Sequence, residues 1–171
     1  MDNFEVVLPH LRKIALFSDF SKDCDKNNQI LKAVYDNISI KEFSKGDTII
    51  KEGDFGEDFF ILYDGTVLVE RKTPAGDKIA LAKLSSDMNV FFGETALISN
   101  DARTATVKAA TACKTIVLTK SNFEKISDVE PGFGYKVVLE IARRMAATIK
   151  TTNSDKATLY EALFNEIEGL Q

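Results

Sequence analysis

The sequence predicts an α+β protein in which an antiparallel, jelly-roll-like β-roll of about eight strands is flanked by N-terminal and C-terminal helices. Three observations predict this fold. Apolar residues recur at helical spacing up to about residue 37. From there to about residue 120, glycine turns separate short runs of β-branched and aromatic residues, which leaves no room for helical crossovers. Helical spacing then returns and continues along the rest of the chain.

The first stretch predicts two short helices within residues 9–37. Leu11 and Ile14 belong to one apolar cluster, and Ile30 and Val34 belong to a second set at helical spacing.

The β-roll is predicted over residues 38–120. Turns such as Gly46-Asp47 and Asp64-Gly65 lie between the candidate strands, and close turns of this kind are typical of antiparallel rolls. After a first strand from Ile38, the candidate strands are 48–50, 59–62, 66–69, 79–84, 104–109 and 115–119.

Helices are predicted again over residues 121–150. Ser121 and Glu124 form a capping-box pattern at the start of the first helix, and Pro131 with Gly132 breaks it.

A second helix follows this break, and Asn153 with Ser154 could interrupt it. We therefore expect one domain over residues 1–150 and a helical extension over 151–171, without a helix-turn-helix unit. The apolar stripes of these segments are Val138, Ile141, Met145 and Ile149, then Tyr160, Leu163, Phe164, Ile167 and Leu170.

Charge and hydropathy exclude several classes of protein. The balance of 22 basic and 26 acidic residues gives a net charge of -4, opposite to the footprint of a nucleic-acid-binding protein, so we expect no DNA partner. No window approaches the roughly 18 apolar residues of a membrane span, and no signal peptide is visible, so we expect a cytoplasmic protein without a membrane partner. Cys24 and Cys113 predict one surface thiol and one core residue, not a disulfide.

The strongest functional motif is FGETALI at residues 92–98, followed after residues 99–102 by RTATV at 103–107. It resembles the phosphate-binding cassette of the cyclic-nucleotide-binding family, which includes protein kinase A regulatory subunits, catabolite activator proteins and cyclic-nucleotide-gated channels. Glycine, acid, small residue and arginine fall in order, with the acid-to-arginine interval kept. The resemblance covers about residues 11–149, and it implies a stand-alone bacterial cyclic-nucleotide-binding domain.

The chemistry of these residues suits a cyclic phosphodiester. A helical turn after Gly93 presents free N–H groups to an anion, and Arg103 offers a planar fork of donors for two phosphate oxygens. Glu94 is an acceptor when ionised, so it suits a ribose hydroxyl. The resemblance assigns Glu94 to the 2′-hydroxyl, Arg103 to the phosphate, and the amide of Ala96 to a phosphate oxygen.

By the same resemblance, Val69 and Leu81 floor the pocket beneath sugar and base, although both also fit an ordinary β-core. The predicted ligand-binding residues are Phe92, Gly93, Glu94, Thr95, Ala96, Arg103, Thr104, Ala105, Val69 and Leu81, with no catalytic or metal-binding residue.

Two features depart from the family pattern. Residues 86–90 replace a loop in which family members usually carry a glycine, and the loop is about two residues longer here. Ala102 stands where a proline commonly precedes the arginine, which predicts a slightly looser Arg103.

The resemblance implies a sensor of one cyclic mononucleotide, cAMP or cGMP, that needs no cofactor and catalyses nothing. Thr104 resembles a guanine contact in gated channels and cyclic-GMP kinases, but bacterial cyclic-AMP receptors use a hydroxyl there on the phosphate. The bacterial character of the chain favours cAMP. His10 is the only histidine and lies outside the cassette, so an enzyme has little support.

The family also implies that the helix after the roll closes over the base as a lid. Val138, Ile141, Met145 and Ile149 are the candidates, and packing on the roll or on a twin explains this stripe equally well. Phe164, Ile167 and their apolar neighbours are expected to form a homodimer or to bind an effector protein. The alternative function is a protein-interaction module with a degenerate pocket that binds no nucleotide.

Overall fold

We describe residues 3–168 of a computed structural model of the chain. These residues form four helices, eight strands and three short 3-10 turns. The helices are α1 (Phe4–Lys13), α2 (Asp25–Asp36), α3 (Lys120–Val129) and α4 (Pro131–Glu168). The strands are β1 (Ile38–Phe43), β2 (Thr48–Ile50), β3 (Asp58–Asp64), β4 (Thr66–Lys72), β5 (Lys78–Ser85), β6 (Phe91–Phe92), β7 (Thr106–Ala109) and β8 (Cys113–Thr119). The 3-10 turns are Ala15–Phe20, Ser86–Met88 and Glu94–Leu97.

The strands form two four-stranded sheets with the orders β1-β8-β3-β6 and β2-β7-β4-β5. The strand pairs within both sheets are antiparallel. This confirms the predicted α+β class with a roll of about eight strands. The strand that the sequence patterns did not predict is β6, because it has only two residues and the second, Phe92, belongs to the cassette motif.

The turn between β3 and β4 requires glycine. Gly65 has a φ of 93°, and a Cβ atom added there would lie 2.4 Å from the carbonyl oxygen of Ala112. A side chain would therefore be strained in its backbone conformation and would collide with the β7–β8 turn. Gly65 thus allows β3 to reverse into β4 beside Cys113.

Two hydrophobic cores support the roll. The inner core lies between the sheets and contains Phe60, Phe92, Val107 and Val117. The outer core packs the helices against the first sheet, and Phe133 of α4 lies at its centre. The ring centroid of Phe133 is 6.0, 5.5 and 5.9 Å from those of Phe17, Phe20 and Phe123, respectively.

The N-terminal boundary of the predicted helices is wrong. Helix α1 begins at Phe4 instead of residue 9, and Pro9 lies inside it. Proline removes one backbone hydrogen bond from a helix interior. Val7 and Leu8 are buried against the outer core, so their packing offsets that loss.

The predicted start of the third helix is also wrong. Thr119, not Ser121, caps α3, because its hydroxyl oxygen accepts the N–H of Asn122 at 3.2 Å. Ser121 is an interior residue of the first turn, so the capping box with Glu124 does not form. Strand β8 ends at this threonine, and the helix follows without a loop.

The break at Pro131 is confirmed, but the interruption at Asn153 and Ser154 is wrong. Helix α4 runs for 38 residues through both positions. The proposed domain boundary at residue 150 falls inside this helix. Residues 142–167 are exposed throughout, and Leu170 lies outside the described residues.

Both cysteines have the predicted environments, since Cys24 is exposed and Cys113 is buried, each as a free thiol. Within residues 3–168, no helix has the length and hydropathy needed to cross a bilayer.

Candidate ligand-binding site

The cassette motif folds as predicted into one short turn led by a glycine. Gly93 has a φ of 76° and precedes the 3-10 turn Glu94–Leu97. A Cβ atom at Gly93 would lie 2.8 Å from Nη1 of Arg103 and 3.1 Å from Cδ1 of Ile50. Glycine is therefore required both by the backbone conformation and by the arginine packed against it.

The side chain of Arg103 lies over the start of this turn. Its Nη1 donates to the carbonyl oxygen of Gly93 at 3.2 Å, and its Nη2 donates to the carbonyl oxygen of Asp58 at 2.5 Å. Two of its five N–H donors are thus used on neutral backbone groups. Within residues 3–168, no carboxylate forms an ion pair with this guanidinium.

The backbone of Arg103 is fixed by the β2–β3 loop. Its N–H donates to the carbonyl of Asp54 at 2.8 Å, and its carbonyl accepts the N–H of Gly53 at 2.9 Å. These two hydrogen bonds hold the backbone of Arg103, the residue that directly follows Ala102, which stands in place of the family's proline. The loosening expected from that replacement is therefore opposed by tertiary hydrogen bonds.

Partial burial lowers the pKa of Arg103, while the nearby carboxylates of Asp58 and Glu94 act in the opposite direction. The guanidinium remains a cation at neutral pH. Burial disfavours the unpaired charge, so an anion that replaced the missing counter-ion would be stabilised here.

Glu94 is partly buried, and its carboxylate forms no ion pair with any described residue. The carboxylate lies near enough to affect the pKa of Arg103 but is not paired with it. It is therefore free to accept a hydrogen bond from a ligand hydroxyl.

The cassette turn offers two unused backbone donors. Within residues 3–168, the amides of Glu94 and Thr95 donate to no backbone carbonyl. The amide of Ala96, which the resemblance assigns to a phosphate oxygen, donates to the carbonyl of Gly93 at 3.2 Å. The anion-binding role of Ala96 thus competes with a long internal hydrogen bond.

The other cassette residues differ in exposure. Phe92 is buried, and its ring stacks on that of Phe60 with centroids 5.4 Å apart. Thr95 and Thr104 are exposed, and Ala105 is partly buried. Strand β7 begins at Thr106, so residues 103–105 are not regular strand. That irregularity allows the side chains of Arg103 and Thr104 to approach one ligand.

Val69 and Leu81 lie on neighbouring strands but have different surroundings. Val69 packs against the inner core and pairs with Ala82 and Val107. The side chain of Leu81 is 53% exposed, at the register shift between β4 and β5. Leu81 is therefore not an ordinary core residue, and its role as pocket floor remains a prediction.

A cavity of about 240 Å³ lies beside Arg103 under the β2–β3 loop. Phe55, Gly56, Asp58 and Phe60 line it with Arg103, whereas Glu94, Val69 and Leu81 do not. A Cβ atom at Gly56 would lie 3.2 Å from Nη2 of Arg103. Sequence analysis did not include Gly56 among the site residues, and it missed the carbonyl of Asp58 because backbone acceptors leave no residue-type signal.

The loop before the cassette, which lacks the glycine usual in the family, contains one residue with a positive φ. Asn89 has a φ of 50°, the left-handed region that asparagine tolerates better than most residues. The carbonyl of Val90 then accepts the N–H of Leu62 at 3.1 Å, which aligns β6 with β3.

The four lid candidates do not share one environment. Ile141 is fully buried in the outer core, whereas Val138, Met145 and Ile149 are 41, 43 and 58% exposed. Packing on the domain thus explains Ile141, but not the other three.

The fold and the site together define an antiparallel β-roll domain in which Arg103 lies over a glycine-led turn without a carboxylate partner among residues 3–168. Residues 40–129, just over half of the chain, match the family model described as "Cyclic nucleotide-binding domain". The chain belongs to this family.

Relatives of this chain include a protein named as a cAMP-dependent kinase subunit and one named as a cGMP-dependent kinase. The chain is 36% identical over 105 residues to a cAMP-dependent protein kinase regulatory subunit of Mycosarcoma maydis, which covers 59% of this chain and 19% of the relative. It is 36% identical over 99 residues to cGMP-dependent protein kinase 2 of Homo sapiens, covering 58% and 12%. The chain thus spans less than a fifth of each relative.

A solved cyclic nucleotide-binding domain from Methylobacillus flagellatus has the same fold. It superposes with a TM-score of 0.71 at 21% identity, covering 88% of this chain and 80% of that one.

Proposed function

We propose that this domain binds one cyclic mononucleotide and acts as a non-catalytic sensor. The observation that carries the proposal is the partly buried guanidinium of Arg103. In the described part of the chain, residues 3–168, it has no carboxylate partner, and the amides of Glu94 and Thr95 in the adjacent cassette turn donate to no backbone carbonyl. A phosphodiester supplies the missing negative charge and two acceptor oxygens. Glu94 then accepts from the ribose 2′-hydroxyl, and Val69 with Leu81 supports the sugar and base.

The favoured ligand is cAMP, with cGMP as the alternative. The relatives do not discriminate, because one is named a cAMP-dependent and the other a cGMP-dependent kinase component. Thr104 is exposed beside Arg103, a position from which its hydroxyl can reach a phosphate oxygen or a guanine edge. We expect the phosphate contact, so that both nucleotides benefit from it.

Titration calorimetry with cAMP, cGMP and 5′-AMP tests the proposal. We expect a dissociation constant in the micromolar range or below for a cyclic nucleotide and much weaker binding of 5′-AMP, whose dianionic, acyclic phosphate differs in charge and shape. Absence of both heat and a shift in melting temperature with either cyclic nucleotide would support the interaction module instead.

Signal output is proposed to pass through α4. Residues 142–167 are exposed along this helix, and Leu163, Phe164 and Ile167 are 55, 64 and 54% exposed. An apolar stripe of this kind is normally covered by a partner. We propose a homodimer or an effector protein as that partner, without DNA, membrane or metal cofactor, and a cytoplasmic location for the complex.

A further inference from the structure

Besides its packing in the outer core, helix α4 contacts the roll through Arg144, a residue that the predicted site does not include. The guanidinium carbon of Arg144 lies 4.0 Å from the ring centroid of Phe91, within the range of a cation–π interaction. Phe91 is only 4% exposed, and its ring also contacts Phe59 with centroids 5.4 Å apart. The arginine therefore covers the outer face of a ring that belongs to the core.

Phe91 is connected directly to the cassette. It forms β6 together with Phe92, and Gly93 follows at once. The carbonyl of Gly93 accepts the guanidinium of Arg103. Two peptide bonds from Phe91 to Gly93 and one hydrogen bond from Arg103 thus join the ring held by Arg144 to the group that binds the phosphate in the proposed function.

The contact also marks the end of the packed part of α4. Val137 and Ile141 are fully buried, whereas residues 142–167, with Arg144 near their start, are exposed. Arg144 is thus the last residue of α4 that contacts the roll through a side-chain interaction identified among the described residues.

We propose that Arg144 is a positioning residue that holds α4 away from the lid position and so lowers the affinity of the cassette for its nucleotide. This inference rests on the proposed function. Met145 follows Arg144 by about 100° around the helix axis and is 43% exposed in the present arrangement. A rotation that turns Met145 towards the roll carries Arg144 away from Phe91.

The energetic consequence has a definite sign. A contact made only when the lid is open reduces the fraction of molecules competent to close, and the apparent affinity falls by that fraction. Removal of the contact should therefore tighten nucleotide binding, whereas ordinary structural damage would weaken it. For one cation–π contact we expect a change of about fivefold.

The experiment compares Arg144→Ala with Arg143→Ala. Arg143 is the matched control, because it is the preceding arginine and lies 3.6 Å from Glu140 of its own helix, not on the roll. Phe91→Leu keeps apolar bulk but removes the π face, so it tests the other partner. Nucleotide affinity is measured by calorimetry, and opening of α4 by hydrogen exchange of the nucleotide-free protein.

We expect R144A and F91L to bind cyclic nucleotide about fivefold more tightly and to exchange amides of residues 138–148 faster, with R143A like wild type in both measurements. If the wild-type protein binds the nucleotide and R144A and R143A bind it with equal affinities, this inference is overturned and the proposed function is retained. If neither the wild-type protein nor any variant binds a cyclic nucleotide, the proposed function is overturned, and the proposed effect of Arg144 on affinity is overturned with it. Exchange that is the same in R144A and R143A also excludes the contact itself.

Discussion

Arg103 and Gly93 meet across the cassette loop: Nη1 of the arginine donates to the glycine carbonyl at 3.2 Å, and no space for a Cβ atom remains between them. The glycine thus has two roles. It adopts a positive φ at the entrance of the turn, and it allows the guanidinium to lie directly against the backbone.

Gly93→Ala should therefore be more harmful than an alanine at another positive-φ glycine. Gly76 has a φ of 93° with open space around it, so Gly76→Ala is the matched control and should cost about 1 kcal/mol of unfolding free energy. G93A adds a collision with Arg103 and should cost at least about 2 kcal/mol. Denaturant unfolding measures both, and equal losses would argue against crowding at Gly93.

Removal of the guanidinium should weaken nucleotide binding strongly. We expect Arg103→Ala to weaken cyclic-nucleotide binding by about 2–5 kcal/mol, since it leaves the phosphate without its paired cation. Arg103→Lys should recover only part, because lysine lacks the planar fork. Arg71→Ala is the control, as Arg71 is exposed and its Nε lies 3.8 Å from Glu52. Calorimetry should find R71A unchanged; a similar loss in R71A and R103A would indicate only a charge effect.

Glu94 should discriminate between ribose and deoxyribose. The wild-type protein should bind cAMP more tightly than 2′-deoxy-cAMP by about 1.5–3 kcal/mol, the range of a hydrogen bond to a charged group. Glu94→Ala should weaken cAMP and leave the deoxy ligand nearly unchanged, so that the two affinities converge in calorimetry. If the variant still discriminated between the two ligands, another group would hold the hydroxyl.

The hydroxyl of Thr104 should serve the phosphate, not the base. Thr104→Ala is then expected to weaken cAMP and cGMP alike by about 0.5–1.5 kcal/mol. Thr104→Ser retains the hydroxyl and is the control, with near-wild-type affinities. Competition binding with both nucleotides checks this, and a loss confined to cGMP would show that the hydroxyl contacts guanine.

The exposed stripe of α4 should associate with a second copy or with an effector protein. Leu163→Asp combined with Ile167→Asp should dissociate a dimer, because the charges enter the apolar stripe. Thr158→Asp combined with Asn165→Asp introduces the same two charges on the opposite face of the helix and should have no effect. Size exclusion with light scattering, with and without nucleotide, measures the mass. A wild-type monomer with an unchanged profile and no partner would exclude this role of the stripe.

Much of the fold follows from local sequence signals. Runs of β-branched and aromatic residues between glycine turns predicted the roll, because such residues favour strands and turns demand particular residues. The N-terminal boundary failed because packing of Val7 and Leu8 outweighed the local cost of Pro9. Thr119 replaced Ser121 as cap because the end of β8, a tertiary feature, decides where α3 begins.

The sequence by itself determined which chemical groups the cassette contains, since a glycine, an acid and an arginine at fixed intervals carry their own conformational and hydrogen-bonding properties. Only the tertiary structure decided what those groups touch. The carbonyl of Asp58 that holds Arg103 and the ring of Phe91 beneath Arg144 come from segments distant along the chain. Backbone acceptors and ring faces occur in every protein, so they acquire a role only when packing brings a particular cation against them.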